Sequence, residues 1–148
     1  MSVKKIITIV ILTMIIFGCE KEDPTGLEGK EISYNILEKG TFKVSGDNTI
    51  NEQYLVFKDQ EEWAGFISLM EFKSPEKAEE FKELSFDFNN KTLLIITSEH
   101  QNYCCKEIII KKVYRDQGII YVDFEVKDSN GTESNFYQSY LLFEVNKN

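Results

Sequence analysis

Histidine is almost missing from this chain. Its 148 residues hold one, His100, along with three cysteines, two prolines and eight glycines. Each scarcity excludes something. One imidazole leaves a single candidate general base, and no G-x-S-x-G elbow accompanies it. A Ser–His–Asp or Cys–His hydrolytic set is therefore not expected, and no catalytic residue is assigned. Apart from Cys19, the only cysteines are the adjacent Cys104 and Cys105. Two neighbouring thiols cannot staple a fold, so the core must hold by burial. Gly40, Gly46, Gly118 and Gly131 are scattered and each falls at a predicted turn. No glycine-rich strand-to-helix loop exists to cradle a phosphate. No apolar run reaches the roughly 18–20 residues that span a bilayer as a permanent helix. Lysine and arginine number 17 against 25 acids, for a net charge of −8, and such a surface repels phosphate backbones. Nucleic acid is excluded as a partner on that ground, and no cofactor is expected.

What is present begins with the N-terminus. Lys4 and Lys5 precede an apolar stretch at 6–17, broken only by Thr8 and Thr13, and Gly18 follows. That order of basic start, apolar run and small residue is a secretory signal. Ile16-Phe17-Gly18-Cys19 resembles the lipobox of bacterial lipoproteins, which implies cleavage before Cys19 and acylation of its sulfur with chains such as palmitate. Each buried methylene adds about 0.8 kcal/mol of membrane affinity, so several chains anchor stably. Losing Lys4 and Lys5 with the leader takes the formal charge from −8 to −10 and leaves 130 residues, enough for one ordinary core. Residues 19–30 are charged, carry Pro24, Gly26 and Gly29, and show no apolar period, as a flexible tether would. The opening Cys19-Glu20-Lys21-Glu22-Asp23 resembles the acidic surface-export signals of lipoproteins in Bacteroidota. The expected arrangement is a signal peptide at 1–18, a tether at 19–30 and one globular domain at 31–148. The domain would be held at the bacterial outer membrane, with surface display favoured over the periplasmic face.

Inside the domain, Ile32, Tyr34 and Ile36 alternate with polar residues, 41–44 continues after Gly40, and 53–57 (QYLVF) reads as a short strand. Asp59 suits a helix cap and Glu62 the capping-box position, with Trp63, Phe66, Ile67 and Met70 forming one apolar face. Ser74-Pro75 predicts a second helix start, with Ala78, Phe81 and Leu84 on its buried side. Asp87-Phe88-Asn89-Asn90 turns the chain into strands at 91–98, 105–115, 119–127 and 136–145. Asp116-Gln117-Gly118 is a tight hairpin signal. The expected fold is α+β, an antiparallel sheet with a meander in its C-terminal half, packed by one or two short helices.

The connection between the third-last and fourth-last strands concentrates the unusual residues. Glu99, His100, Gln101, Asn102 and Tyr103 form a polar loop that rigid strands can present as a partner-contact surface. His100, Cys104 and Cys105, with Glu99, could supply ligands for zinc or copper(I). Adjacent residues on a strand point to opposite faces, however, and no second ligand pair stands at regular spacing, so no metal is assigned. A small-ligand or metal-binding role for His100, Cys104 and Cys105 stays as the alternative. A vicinal disulfide requires a distorted intervening peptide.

The run VFKDQEEWAGFI, a helix after a short strand, is followed by Phe86-Asp87-Phe88 leading into 93–97 and by a final strand ending Phe143-Glu144-Val145. Over residues 54–147 this arrangement resembles the C-terminal domain of PrcB, a lipoprotein subunit that stabilises a subtilisin-like protease complex. The family's loop is rich in threonine and glycine, whereas here Gln101-Asn102-Tyr103-Cys104-Cys105 has no glycine. The resemblance implies contact with a protease. A complete core, a tether and no assembled catalytic group lead to the expectation of a non-enzymatic, lipid-anchored envelope domain that acts by protein–protein contact, stabilising a protease or another envelope partner.

Overall fold

A computed structural model describes residues 29–43, 49–51, 54–99, 106–128 and 137–147. Along the chain run β1 (Lys30–Glu31), β2 (Tyr34–Lys43), β3 (Tyr54–Phe57), α1 (Gln60–Lys73) and α2 (Pro75–Lys82). They are followed by β4 (Lys91–Thr97), β5 (Lys106–Asp116), β6 (Ile119–Asp128) and β7 (Tyr137–Asn146). The class is α+β with antiparallel pairing throughout, as the strand alternation and the two capped helices predict. The fold takes in the chain from Gly29–Lys30, inside the stretch expected to be tether, because Lys30 pairs with Arg115.

Helix α1 starts where its cap chemistry dictates. The Asp59 carboxylate accepts from the backbone N–H of Glu61 at 3.0 Å and of Glu62 at 2.9 Å. Glu62 reaches back past the cap to accept from the Lys58 N–H at 2.6 Å. Three backbone donors at the helix start thus gain carboxylate partners from Asp59 and Glu62. Trp63, Phe66, Ile67 and Met70 are all buried. Ser74 ends α1 by donating its N–H to Met70 O and begins α2 by accepting from Ala78 N–H. Its hydroxyl makes no cap bond, so Pro75 rather than a side-chain cap shapes that start. Leu84 lies beyond α2 but still packs on the core.

The meander expected of the last four strands does not form. The strand orders are β2-β7-β4-β3 in one sheet and β1-β5-β6 in the other. The reason lies in the side-chain pattern. β4 (KTLLIIT) and β7 (YQSYLLFEVN) are apolar on both faces, and such strands are stable only where both faces are covered. They sit side by side at the centre of the four-stranded sheet. β5 and β6 alternate, and pair as a hairpin that covers one face as an outer layer.

Two cores follow from this layering. Leu94, Ile96, Leu141, Phe143 and Val145 meet Ile108, Ile110 and Val113 between the sheets. On the opposite face Leu93, Ile95, Tyr140 and Leu142 meet Trp63, Phe66, Met70 and Phe81 of the helices. The helix side is an aromatic cluster, with Trp63 5.7 Å from Phe81 and 5.2 Å from Phe57 and Phe86 between ring centroids. Phe81 is fully buried at its centre, and truncating it to alanine is expected to cost about 3–5 kcal/mol.

Two glycines have positional reasons. The β5–β6 turn places Gln117 at φ 47° and Gly118 at φ 82°, the backbone that a two-residue hairpin of matching twist requires. Gly40 is not at a turn, contrary to its sequence context. It lies within β2 directly opposite Tyr140, where an added Cβ would come within 3.0 Å of the Tyr140 hydroxyl. Gly46 and Gly131 lie outside the described residues.

Candidate functional site

Of the residues singled out for contact or metal binding, Glu99 is described. His100, Gln101, Asn102, Tyr103, Cys104 and Cys105 lie outside the described residues, as does Cys19. The structure does define the frame on which that connection stands. Ser98 leaves β4 with its N–H donated to Ser139 O at 2.9 Å, while Ser139 N–H donates to Ser98 Oγ at 3.0 Å. The Ser98 hydroxyl donates in turn to Glu99 O at 2.9 Å. At the other end, Lys106 N–H donates to Ser139 Oγ at 3.0 Å. Ser139 therefore holds both ends of the Glu99–Cys105 connection, although it lies 41 positions after Ser98 and 33 after Lys106 in the chain.

Gln138, only 1 % exposed, completes the frame. Its Nε2 donates to Ser98 O at 2.8 Å and to Ile50 O at 2.7 Å, and its Oε1 accepts from Ile50 N–H at 3.0 Å. A buried amide that uses both donor hydrogens and its oxygen cannot rotate without stranding backbone groups. Three chain segments, at Ile50, Ser98 and Lys106, are thereby referenced to β7. Among the described residues no buried side-chain nitrogen or oxygen lacks a partner.

Two cavities flank Lys106. One of about 250 Å³ is lined by Thr97, Ser98, Glu99, Lys106, Phe124 and Val126. The other, about 260 Å³, lies between β2 and the start of β5 and includes Gly40, Lys106, Ile108 and Tyr140. The Tyr140 hydroxyl donates to Glu38 Oε1, whose carboxylate lies 3.6 Å from Lys77 Nζ. Lys77 also stands 5.4 Å from the centre of the Tyr140 ring and ion-pairs with Glu80. Burial, and after it the bond to Glu38, holds the Tyr140 phenol far above its ordinary value. It is a neutral donor at physiological pH.

The frame residues Gln138 and Ser139 are absent from the sequence-based expectations. The available signal was a polar pair inside an otherwise apolar strand, between Tyr137 and Tyr140, where a buried amide and hydroxyl need partners from elsewhere in the chain. Among the described residues no group of three His, Cys, Asp or Glu side chains is placed to hold a metal ion, and no helix is long and apolar enough to cross a membrane. No family model matches this chain, and comparison with curated proteins and with solved structures gives no match.

Proposed function

We propose that this chain is a lipid-anchored, non-enzymatic accessory domain of the bacterial envelope that acts by protein–protein contact through Glu99, His100, Gln101, Asn102 and Tyr103. The observation that carries this reading is the buried frame of Gln138, Ser98 and Ser139. It holds both ends of the connection against the central strand β7. A loop whose ends are held this way loses less freedom on binding, and preorganisation of that kind raises affinity. The sequence adds a lipobox-like Cys19, a charged tether, and an arrangement resembling the PrcB C-terminal domain, in which case the partner would be an envelope protease or its complex.

Two measurements test the reading together. Metabolic labelling with an alkyne fatty acid should mark the wild-type chain and not Cys19→Ser. Cross-linking on intact cells should recover a protein partner with the wild type and lose it with Tyr103→Ala at equal abundance. A partner recovered equally by both forms, or an unlabelled wild-type chain, would sink the respective half of the proposal.

A further inference from the structure

One pole of the domain stands where the chain arrives from the lipidation site. β1 joins the outer sheet beside the β5–β6 turn, with Lys30 opposite Arg115 and Glu31 opposite Tyr114. Gly29 approaches the Tyr114 ring so closely that an added Cβ would stand 2.6 Å from its Cδ2. Gly29 follows Cys19 by ten residues, a reach of at most about 36 Å when extended and roughly 16–19 Å as a flexible coil. The Glu99–Cys105 connection stands at the other pole. β5 runs from Lys106, at the end of that connection, to Asp116, and its 11 residues cover roughly 33 Å at about 3.3 Å per residue.

Exposed apolar and aromatic side chains gather at the pole beside Gly29. Tyr114 and Tyr121 face each other on the β5–β6 ladder and stack at 5.2 Å between ring centroids. Ile119 shares the Tyr121 side of β6 and is 57 % exposed. The start of β2 adds Tyr34 and Ile36, both exposed, opposite Val145 and Phe143. The end of β7 lies at this same pole, because the Arg115 guanidinium donates to Asn146 O and Lys147 O. Tyrosine, an apolar ring with a polar tip, suits a boundary that is hydrocarbon on one side and water on the other.

Charge decides what kind of surface fits here. Lys112 stands opposite Asp123, and its Nζ lies 5.7 Å from the centre of the Tyr114 ring. Lys30 and Arg115 are matched by Glu31 and Asp116. With cations and acids balanced, nothing at this pole recruits an anionic headgroup or a charged protein segment. What it offers is apolar and aromatic area, which suits a neutral lipid interface. Phe72 is more exposed, at 77 %, but stands elsewhere. Its neighbour Lys73 bonds Thr49 O, beside the Ile50 that Gln138 holds, so the end of α1 lies toward the connection.

We propose that the pole formed by the β5–β6 turn and the start of β2 rests in the headgroup region of the bilayer, with Tyr34, Ile119 and Tyr121 at the lipid surface. The anchor keeps this pole within a short tether of the membrane, where a high effective concentration lets weak apolar contacts orient the domain. The Glu99–Cys105 connection is then displayed a strand's length away from the lipid, facing a partner. This rests on the lipid-anchor half of the reading above and adds the orientation in which the contact surface is presented.

The test uses the acylated protein reconstituted in phosphatidylcholine vesicles, with tryptophan as reporter and brominated phosphatidylcholine as quencher. Trp63, 3 % exposed in the helix layer, gives the background. The indole of Ile119→Trp should lose about half of its emission or more to bromolipid, as a side chain seated at the headgroup boundary does. Phe72→Trp and Lys127→Trp, both toward the connection, should be quenched at least about fivefold less. Adding Tyr34→Ser and Tyr121→Ser to Ile119→Trp should reduce its quenching about twofold, and added salt should leave it unchanged. Unchanged melting establishes that the variants fold, and the three single reporters carry the test if the combined variant does not. Equal quenching of the three reporters, or none at Ile119→Trp, overturns the proposal. So does shielding of Ile119→Trp from acrylamide that grows with protein concentration without lipid, which would assign the pole to a second copy. Flotation separates the two readings. A protein that floats with the vesicles while Ile119→Trp stays unquenched keeps the anchor and loses the docked pole, whereas a wild-type chain that takes no acyl group loses both.

Discussion

Gly40 faces Tyr140 across the β2–β7 ladder, and the missing side chain at 40 is what admits the Tyr140 phenol to its bond with Glu38. Tyr140 is 2 % exposed and stacks on Phe42 at 5.2 Å, so the ring has little room to give way. Gly40→Ala gains some strand propensity but overpacks this site. We expect a net loss of about 1 kcal/mol in urea unfolding. In a Tyr140→Phe background the nearest contacting atom is gone and the loss should shrink, a coupling that a double-mutant cycle would measure.

The same phenol predicts the alkaline limb of stability. Burial, followed by the bond to Glu38, raises the Tyr140 value in the folded state. A group whose folded value lies above its unfolded one contributes stability that is complete below the unfolded value, near 10 for tyrosine. That contribution falls as pH rises beyond it, because the unfolded chain releases a proton the folded chain keeps. Stability should therefore decline above about pH 10 by up to about 1.4 kcal/mol per pH unit from this residue. Absorbance at the tyrosinate band should show one phenol ionising only with unfolding, and Tyr140→Phe should abolish that late step. A smooth titration of all tyrosines in the folded protein would refute the assignment.

Removing the Gln138 amide tests the frame. Gln138→Leu keeps the volume but leaves Ile50 N–H, Ile50 O and Ser98 O without their partner in a buried site. We expect a loss of about 3 kcal/mol, since each stranded buried group costs about 1–3 kcal/mol. Among the described residues, what Ser139→Ala removes is the acceptor of Lys106 N–H. It should cost about 1–2 kcal/mol and speed amide exchange at Lys106 selectively. Exchange that accelerates evenly over the whole domain would mean that Ser139 does not hold that end of the connection.

The β5–β6 turn holds an avoidable strain. Gln117 adopts positive φ without being glycine, and asparagine tolerates that region better than glutamine. Gln117→Asn is expected to raise stability by a few tenths to about 1 kcal/mol. Gly118→Ala at the neighbouring positive-φ position should lower it by about 1–2 kcal/mol. Thermal melts of the two variants moving in the same direction would contradict this account.

Local chemistry was legible in the sequence because it depends on residues near one another in the chain. The Asp59 cap, the Trp63–Met70 apolar face, the Pro75 start and the Asp116–Gly118 hairpin each rest on contacts within a few positions, where steric and hydrogen-bonding preferences act directly. The strands from β3 onward were also legible from periodicity, to within one or two residues at the ends, whereas β2 runs unbroken through Gly40 and β1 begins inside the expected tether. The pairing order was not. Insertion of β7 between β2 and β4 depends on which strands need both faces covered, a property of the assembled layers. Periodicity alone assigned the runs in β4 and β7 to strands but did not set them side by side or put β5 in a separate sheet. The opposition of Gly40 to Tyr140 follows from that insertion, so a glycine that looks like a turn residue is a packing residue. The frame likewise joins Gln138 to Ile50 across 88 positions and Ser139 to Ser98 across 41. Hydrogen bonds of that sequence separation exist only after the chain has condensed. The residues that make the candidate surface chemically unusual were visible in the sequence, while the residues that hold its ends were chosen by tertiary structure.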